Sequence, residues 1–355
     1  MNNNLYTQEL IKEIKKIKNI DKLANTTILI AGATGMIGSC IVDIIMQLNV
    51  DAHLNCTVIA LGRNERRAQK RFKDYWGNKN FFFKKNDINR KVEINKKINY
   101  IIHAASNTHP VAYSKYPVET INTNVIGTNN LLKLAVSHNV QRFIFLSSVE
   151  VYGENRGDTE KFNENYLGYL NCNTLRAGYP ESKRVGESLC QAYHAQYGLD
   201  IVIPRLARSF GPTMLMSDSK AMSQFIKNGI QNKNIILKSN GEQEYSYIYS
   251  IDAAGAILFC LLSGKNGEAY NIAGNNCTVK LKSAADMVAN ICNTKVIFEL
   301  PDMIEAAGYS KATKAILDVS KLAKLGYASN IDLNTALKMT IDILLNKKDE
   351  SKKRI

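Results

Sequence analysis

The sequence has no apolar run long enough to cross a bilayer. Its best candidate, Ile37 to Leu48, is interrupted by Asp43 and falls short of the ~20 residues that a spanning helix needs. The amino terminus, MNNNLYTQELIKEIKK, lacks the apolar h-region of a secretory signal. The seven cysteines, Cys40, Cys56, Cys172, Cys190, Cys260, Cys277 and Cys292, are scattered without close pairing. That argues against a disulfide framework and against a thiolate metal site, so no metal is expected and a reducing cytoplasm is the expected setting. No internal repeat or low-complexity linker is visible.

What remains is an ordinary globular composition, 45% hydrophobic and 22% charged, over 355 residues. That length suffices for one large α/β domain or two modest ones. Basic residues outnumber acidic ones by 46 to 32, a net charge of +14. Nucleic-acid binding would concentrate the excess on one face. Here lysines are spread along the chain, and the densest clusters lie at its ends, Lys12 to Lys18 and Lys347 to Arg354. A protein that binds anionic small molecules is the better reading, with neither nucleic acid nor membrane as partner.

Residues 5–24 are amphipathic, with Leu10, Ile14 and Ile17 on one face, and predict an N-terminal helix packed on the domain surface or offered to a partner. Short apolar strands then alternate with helices: strands at Thr27–Ala31, Thr57–Leu61, Asn99–His103 and Arg142–Leu146, helices at Ile37–Leu48 and around Thr123–Ser137. This is the pattern of a doubly wound α/β fold, a parallel sheet covered on both faces, with its ligand beyond the carboxyl ends of the strands. Past about Phe210 the alternation becomes irregular. The expected organisation is an N-terminal helix (1–25), a dinucleotide-binding domain carrying the catalytic residues (26–205), a smaller, mainly substrate-binding domain (206–345) and a frayed charged tail (346–355).

Directly after the first strand comes Gly32-Ala-Thr34-Gly35-Met36-Ile37-Gly38, followed by a helix. Glycines permit a tight turn and close backbone approach to a pyrophosphate, and the helix start supplies free N–H groups. The spacing is G-x-x-G-x-x-G. The second strand ends without the carboxylate that usually holds the ribose of NAD; Arg63 stands there, with Arg66 and Arg67 behind it. A guanidinium suits a 2′-phosphate, so Arg63 favours NADP, with NAD open. Asp87 and Ile88 are placed to hold the adenine, and His103, Ala104 and Ala105 to line the dinucleotide.

Tyr179-Pro-Glu-Ser-Lys183 sets a phenol and an ammonium four residues apart, on one face of a helix. A free tyrosine, with a pKa near ~10, is too weakly acidic to serve as a base at neutral pH. A neighbouring lysine and a positive nicotinamide ring would favour the phenolate, letting Tyr179 take a proton from a sugar hydroxyl. Ser148 and Glu150, in Ser147-Ser148-Val149-Glu150-Val151-Tyr152-Gly153 after the RFIFL strand, add a hydroxyl for the reacting oxygen and a carboxylate. A surface salt bridge is the competing reading of Glu150.

Together these motifs resemble those of the extended short-chain dehydrogenase/reductases that act as nucleotide-sugar epimerases and dehydratases, over roughly residues 26–345. Gly32, Gly35 and Gly38 match that family's cofactor loop, and Ser148, Tyr179 and Lys183 its catalytic triad. Asn124-Val-Ile-Gly127-Thr128 resembles a family helix segment and places Asn124 near the cofactor, while Phe210-Gly-Pro212 resembles the turn that opens the substrate domain. The stretch Glu164-x-Tyr166-x-Gly168-x-x-Asn171, then Arg176-x-x-Tyr179-x-x-x-Lys183-Arg184, is most similar to UDP-glucuronate decarboxylases. The resemblance implies a tightly bound NAD(P), a nucleotide-sugar substrate, a homodimer, and transient oxidation at C4 with Glu150 assisting at C5. Two positions depart from the family. Arg208 stands where Asn is common, and Tyr245 where an Arg contacts the substrate diphosphate or carboxylate. Arg176, Arg208 and Tyr245 are the candidate substrate contacts. The product could be an epimer, a 4-keto-6-deoxy sugar or a decarboxylated sugar. The rival of another class is a non-catalytic NAD(P)-binding regulatory protein.

Overall fold

The computed structural model describes residues 4–352 except 109, 304, 305, 307, 308, 310 and 311. The chain opens with α1 (Asn4–Ile14), then alternates β1 (Thr27–Ala31), α2 (Met36–Asp51), β2 (Thr57–Gly62), α3 (Glu65–Arg71), β3 (Phe81–Lys85) and β4 (Tyr100–His103). It continues through α4 (Pro110–Lys115), α5 (Pro117–Ser137), β5 (Arg142–Phe145), β6 (Ser147–Ser148), α6 (Gly178–Tyr197) and β7 (Ile201–Leu206). The main sheet runs β11-β7-β5-β4-β1-β2-β3, where β11 is Ala269–Ile272, and β6 also pairs with β7. Every pairing in it is parallel.

Alternate strand residues enter two separate cores. Ile28 and Ile30 of β1, Tyr100 and Ile102 of β4 and Ile144 of β5 pack into one. Leu29, Ala31, Ile101, Phe143 and Phe145 pack into the other. With both faces dry, an unbroken apolar run is the expected strand sequence, which is why these strands stand out in the sequence. The strand order reverses between β1 and β4, and the crevice at that reversal opens above their carboxyl ends.

Two expectations need correction, and the strands β3, β7 and β11 were not anticipated. The helix expected over 5–24 ends at Ile14. Asn19, at φ 58°, interrupts it, and only a short 3-10 turn, Ile20–Leu23, follows. The helix is nonetheless built in: Tyr6 Oη donates to Asp43 at 2.6 Å, and buried Glu13 accepts from the Tyr327 hydroxyl and pairs with Lys16 at 2.7 Å. Edge strand β3 escaped notice because only Phe81 of its five residues is fully buried. The unit expected over 206–345 interleaves with the main sheet, since β11 pairs with β7 and the helix Ser250–Ser263 packs on α2. Of the tail 346–355, residues up to Lys352 belong to the helix Leu333–Lys352, and 353–355 lie outside the described residues.

The remaining strands form a smaller sheet. In it β10 (Glu244–Tyr249) pairs parallel with β8 (Arg208–Phe210), antiparallel with Thr278–Lys280 and parallel with Lys314–Ala315. No helix among the described residues is long and apolar enough to cross a membrane. All seven cysteines are free thiols.

Candidate active site

A cavity of about 1080 Å³ opens at the strand reversal and continues to the smaller sheet. At its floor, Gly32 leaves β1 with φ +79° and donates its amide to the Leu61 carbonyl at 3.0 Å. A Cβ here would lie 2.6 Å from both Cα and N of Ala105, and a Cβ on Gly38 would strike the Gly32 carbonyl. Gly35 starts α2 and no side chain caps that helix, so its first-turn amides face the cavity beside Met36 and Ile37. The space that side chains would fill, together with an uncapped helix start, fits the diphosphate of a dinucleotide.

Thr34, Arg63, Asp87, Ile88, Ala104 and Ala105 also line the cavity. Arg63 is exposed. The neighbouring Arg67 is spent on the loop itself, donating to the Thr34 carbonyl at 2.9 Å. Two residues sit elsewhere than expected. Asn124 is fully buried behind the wall, accepting from Ser106 Oγ at 2.7 Å and donating to Ser182 Oγ at 2.9 Å, so it braces the site and does not line it. His103 is also fully buried, 2.9 Å from Thr128 Oγ1 and edge-on to Phe145, and desolvation holds its pKa well below the ordinary value.

The catalytic candidates converge. β6 ends at Ser148, whose hydroxyl hydrogen-bonds Tyr179 and accepts from the Glu150 amide at 3.3 Å. Tyr179 lies in the first turn of α6, nearly buried. Burial pushes its phenol up to about 12, the Ser148 hydrogen bond lowers it and Glu150 raises it further. The expectation that Lys183 lowers this value is not met. Lys183 Nζ instead donates to the Leu146 carbonyl at 2.8 Å and lies 4.8 Å from the Phe145 ring centre. Desolvation pulls the ammonium down to about 8 against the pull of Glu187.

Glu150 is not an isolated surface carboxylate. Arg176 donates to its Oε2 at 2.7 Å, and Arg208 lies 3.7 Å from Oε1. Arg176 stacks 4.7 Å over Tyr113, whose ring centre is 4.8 Å from that of Tyr179. Arg208 stacks 3.5 Å over Tyr245, which donates to the Ala312 carbonyl at 2.8 Å. Arg176 Nε and Nη1 and Arg208 Nη1 are buried without a hydrogen-bond partner. Tyr113 gave no signal in the sequence, because α4 is a single short helix without periodicity. Glu187 was also missed; it anchors Arg205 through two bonds, at 2.9 and 2.6 Å, behind Ser147.

The family model described as NAD dependent epimerase/dehydratase family matches residues 28–273. The chain belongs to this family. It is 29% identical over 326 residues to UDP-glucuronic acid decarboxylase 1 of Xenopus tropicalis, covering 92% of this chain and 73% of that protein. It is 31% identical over 273 residues to UDP-glucuronic acid decarboxylase 5 of Arabidopsis thaliana, covering 77% of this chain and 76% of that protein. Among solved structures, the UDP-glucose 4-epimerase of Thermotoga maritima superposes with a TM-score of 0.77 at 21% identity, over 92% of this chain and 100% of that one. DesIV of Streptomyces venezuelae, a dTDP-glucose 4,6-dehydratase solved with NAD, gives a TM-score of 0.78 at 21% identity, over 92% and 98%. The family's members are NAD-dependent enzymes acting on nucleotide sugars, and their fold is the one described above.

Proposed function

We propose that the protein is a nucleotide-sugar epimerase or dehydratase that oxidises C4 of a hexose transiently, with Glu150 assisting at C5. The observation that supports this most is the position of Tyr179. Its side chain is buried and hydrogen-bonded to Ser148, and it lines the same cavity as the glycine cradle and Glu150. NAD would be held by Gly32, Gly35 and Gly38, by the first turn of α2, and by Ala104 and Ala105. Bound NAD supplies the acceptor for hydride from C4. NAD is favoured over NADP, since the solved relatives with a named dinucleotide hold NAD and Arg63 stands exposed at the rim.

Tyr179 takes the proton of the 4-hydroxyl while Ser148 donates to the reacting oxygen. Lys183, one helical turn on from Tyr179, is the charge available to support the phenolate once its ammonium leaves the Leu146 carbonyl. A ketone at C4 acidifies C5–H, and Glu150, which lines the same cavity, is the carboxylate that would take that proton once it leaves Arg176.

A second reading, decarboxylation of a uronic sugar, is favoured by the two guanidiniums around Glu150 and by the names of the curated relatives. The same proposal includes a homodimer, for which α5 and α6 offer the exposed Val118, Ile121, Ile126 and Val185. Incubation with UDP-, GDP-, CDP- and dTDP-sugars, followed by mass spectrometry, separates the endings. Unchanged mass with a new retention time marks an epimer, loss of water a dehydratase and loss of carbon dioxide a decarboxylase. A purified protein that releases NADP and no NAD on denaturation would overturn the cofactor assignment.

A further inference from the structure

The reading of the site as a nucleotide-sugar enzyme sets Lys183 a task that its surroundings oppose. To support a phenolate on Tyr179 the amine must carry its charge, yet the side chain is buried and desolvation pulls it down to about 8. Most of the groups around it offer no help. His103 of β4 is neutral, its pKa held low by burial and by Lys183 itself. The Cys190 thiol, two turns on in α6, is pushed far up by burial and is uncharged at neutral pH. Asn124 and Thr128, on the α5 helix that packs against α6, carry no charge, and Glu150 is engaged by Arg176 and Arg208.

Glu187 is the exception. It stands one helical turn beyond Lys183 on the same face of α6, and among the described residues it is the carboxylate whose charge pulls the ammonium back up. Three hydrogen bonds fix that carboxylate. Ser147 Oγ donates to it at 2.5 Å, and Arg205 of β7 donates through Nε at 2.9 Å and Nη2 at 2.6 Å. Arg205 in turn donates to the Tyr152 hydroxyl at 3.0 Å and to the Glu164 carbonyl at 2.8 Å. Ser147 pairs with Arg205 across β6 and β7, and its neighbour Ser148 bonds Tyr179. One carboxylate therefore ties α6, which carries Tyr179 and Lys183, to the strand that carries Ser148.

We propose that Glu187 is a positioning residue of the catalytic set: its carboxylate is the counter-charge for the Lys183 ammonium, and through Ser147 it fixes Ser148 against Tyr179. Arg205 divides that charge. By pairing with Glu187 it holds the carboxylate in place, and it also weakens the field that reaches Lys183. The two residues therefore act on Lys183 in opposite senses. The catalytic meaning of this arrangement rests on the proposed chemistry at C4, whereas the coupling of Glu187 to Lys183 is measurable without a substrate.

The test is an NMR titration of the purified protein, with its bound dinucleotide and with its lysines isotopically labelled at Cε; the signal absent from Lys183→Arg identifies Lys183. The wild-type midpoint is expected near 8. Glu187→Gln should lower it by about 1 pH unit or more, Glu187→Asp should restore most of that shift, and Arg205→Gln should raise the midpoint. The alkaline limb of kcat against pH, on a sugar nucleotide that the protein converts, should move in the same directions with KM little changed. Melting temperature and dinucleotide content show that each variant is folded. Should Glu187→Gln not fold, the double variant Glu187→Met with Arg205→Met leaves neither charge buried alone, and it should also titrate below the wild type. An unchanged midpoint in Glu187→Gln makes Glu187 a brace only and overturns the proposal, as do shifts of the same sign in Glu187→Gln and Arg205→Gln. An alkaline limb that stays put while the midpoints move removes the catalytic role. Opposed midpoint shifts in a protein that converts no sugar nucleotide uphold the coupling and contradict the functional reading instead.

Discussion

Replacing Gly32 by Ala tests the cradle directly, because two separable costs meet at that position. The backbone there has φ +79°, a region that costs an L-residue with a side chain roughly 1–2 kcal/mol. The added methyl would also lie 2.6 Å from Cα and N of Ala105. No rotamer change relieves that overlap, because the struck atoms are backbone. Overpacking of this kind costs a further ~1–3 kcal/mol. The expected total is about 3 kcal/mol, or roughly 4 °C in melting temperature for a chain of this size. Gly77→Ala is the control. Its φ is +87° and nothing lies within 4 Å of the added Cβ, so it carries only the backbone cost. Thermal denaturation, together with absorbance of dinucleotide released on unfolding, reads both effects. Gly32→Ala should melt several degrees below Gly77→Ala and purify with little cofactor. Equal melting temperatures for the two variants, or a normal dinucleotide content in Gly32→Ala, would refute the close-approach argument.

Three other perturbations follow from the same geometry. Asp43→Ala strands Arg71 and removes the acceptor of the Tyr6 and Tyr75 hydroxyls, at an expected cost of about 3–5 kcal/mol in urea denaturation; a cost below about 1 kcal/mol would show the network to be idle. Lys183 has its pKa depressed from 10.5 to about 8, so the folded protein holds fewer protons than the unfolded one between those values, and stability rises with pH across that window. Lys183→Met should therefore raise the melting temperature at pH 7 while abolishing turnover, and the gain should fade as pH climbs from about 8 toward 10.5; a gain that persists at high pH would contradict the desolvation account. Val185→Glu should convert the proposed dimer to monomer in light scattering, and a monomeric wild type would remove that part of the proposal.

Four strands of the main sheet, β1, β2, β4 and β5, were legible because they are buried on both faces and their sequences are mostly apolar, whereas the comparably buried β7 and β11 were not picked out. β3 was not, since an edge strand needs only one buried residue here and ends in two exposed lysines. The glycine loop and the Ser148, Tyr179 and Lys183 set were readable from spacing, because close backbone approach and a shared helix face impose residue types at fixed intervals. Pairwise contacts between distant segments were not. Nothing in the sequence brings Tyr113 to Tyr179, turns Lys183 onto the Leu146 carbonyl, or sets Arg176 and Arg208 on either side of Glu150. Those contacts depend on how α4, α6 and β8 pack around one cavity. Asn124, placed near the cofactor by family resemblance, and His103, placed there by its strand end, are fully buried and bonded to Ser106, Ser182 and Thr128, partners that the sequence does not reveal.

The central claim is that Tyr179 initiates chemistry at C4 of a nucleotide sugar. Its most direct test compares wild type and Tyr179→Phe on the sugar-nucleotide panel, following product by mass and retention time. The account predicts that the wild type converts at least one sugar nucleotide and that Tyr179→Phe, folded and carrying its dinucleotide, is slower by about 10²–10⁴-fold. Equal rates in the two proteins, or a wild type that converts none of the panel, would contradict it.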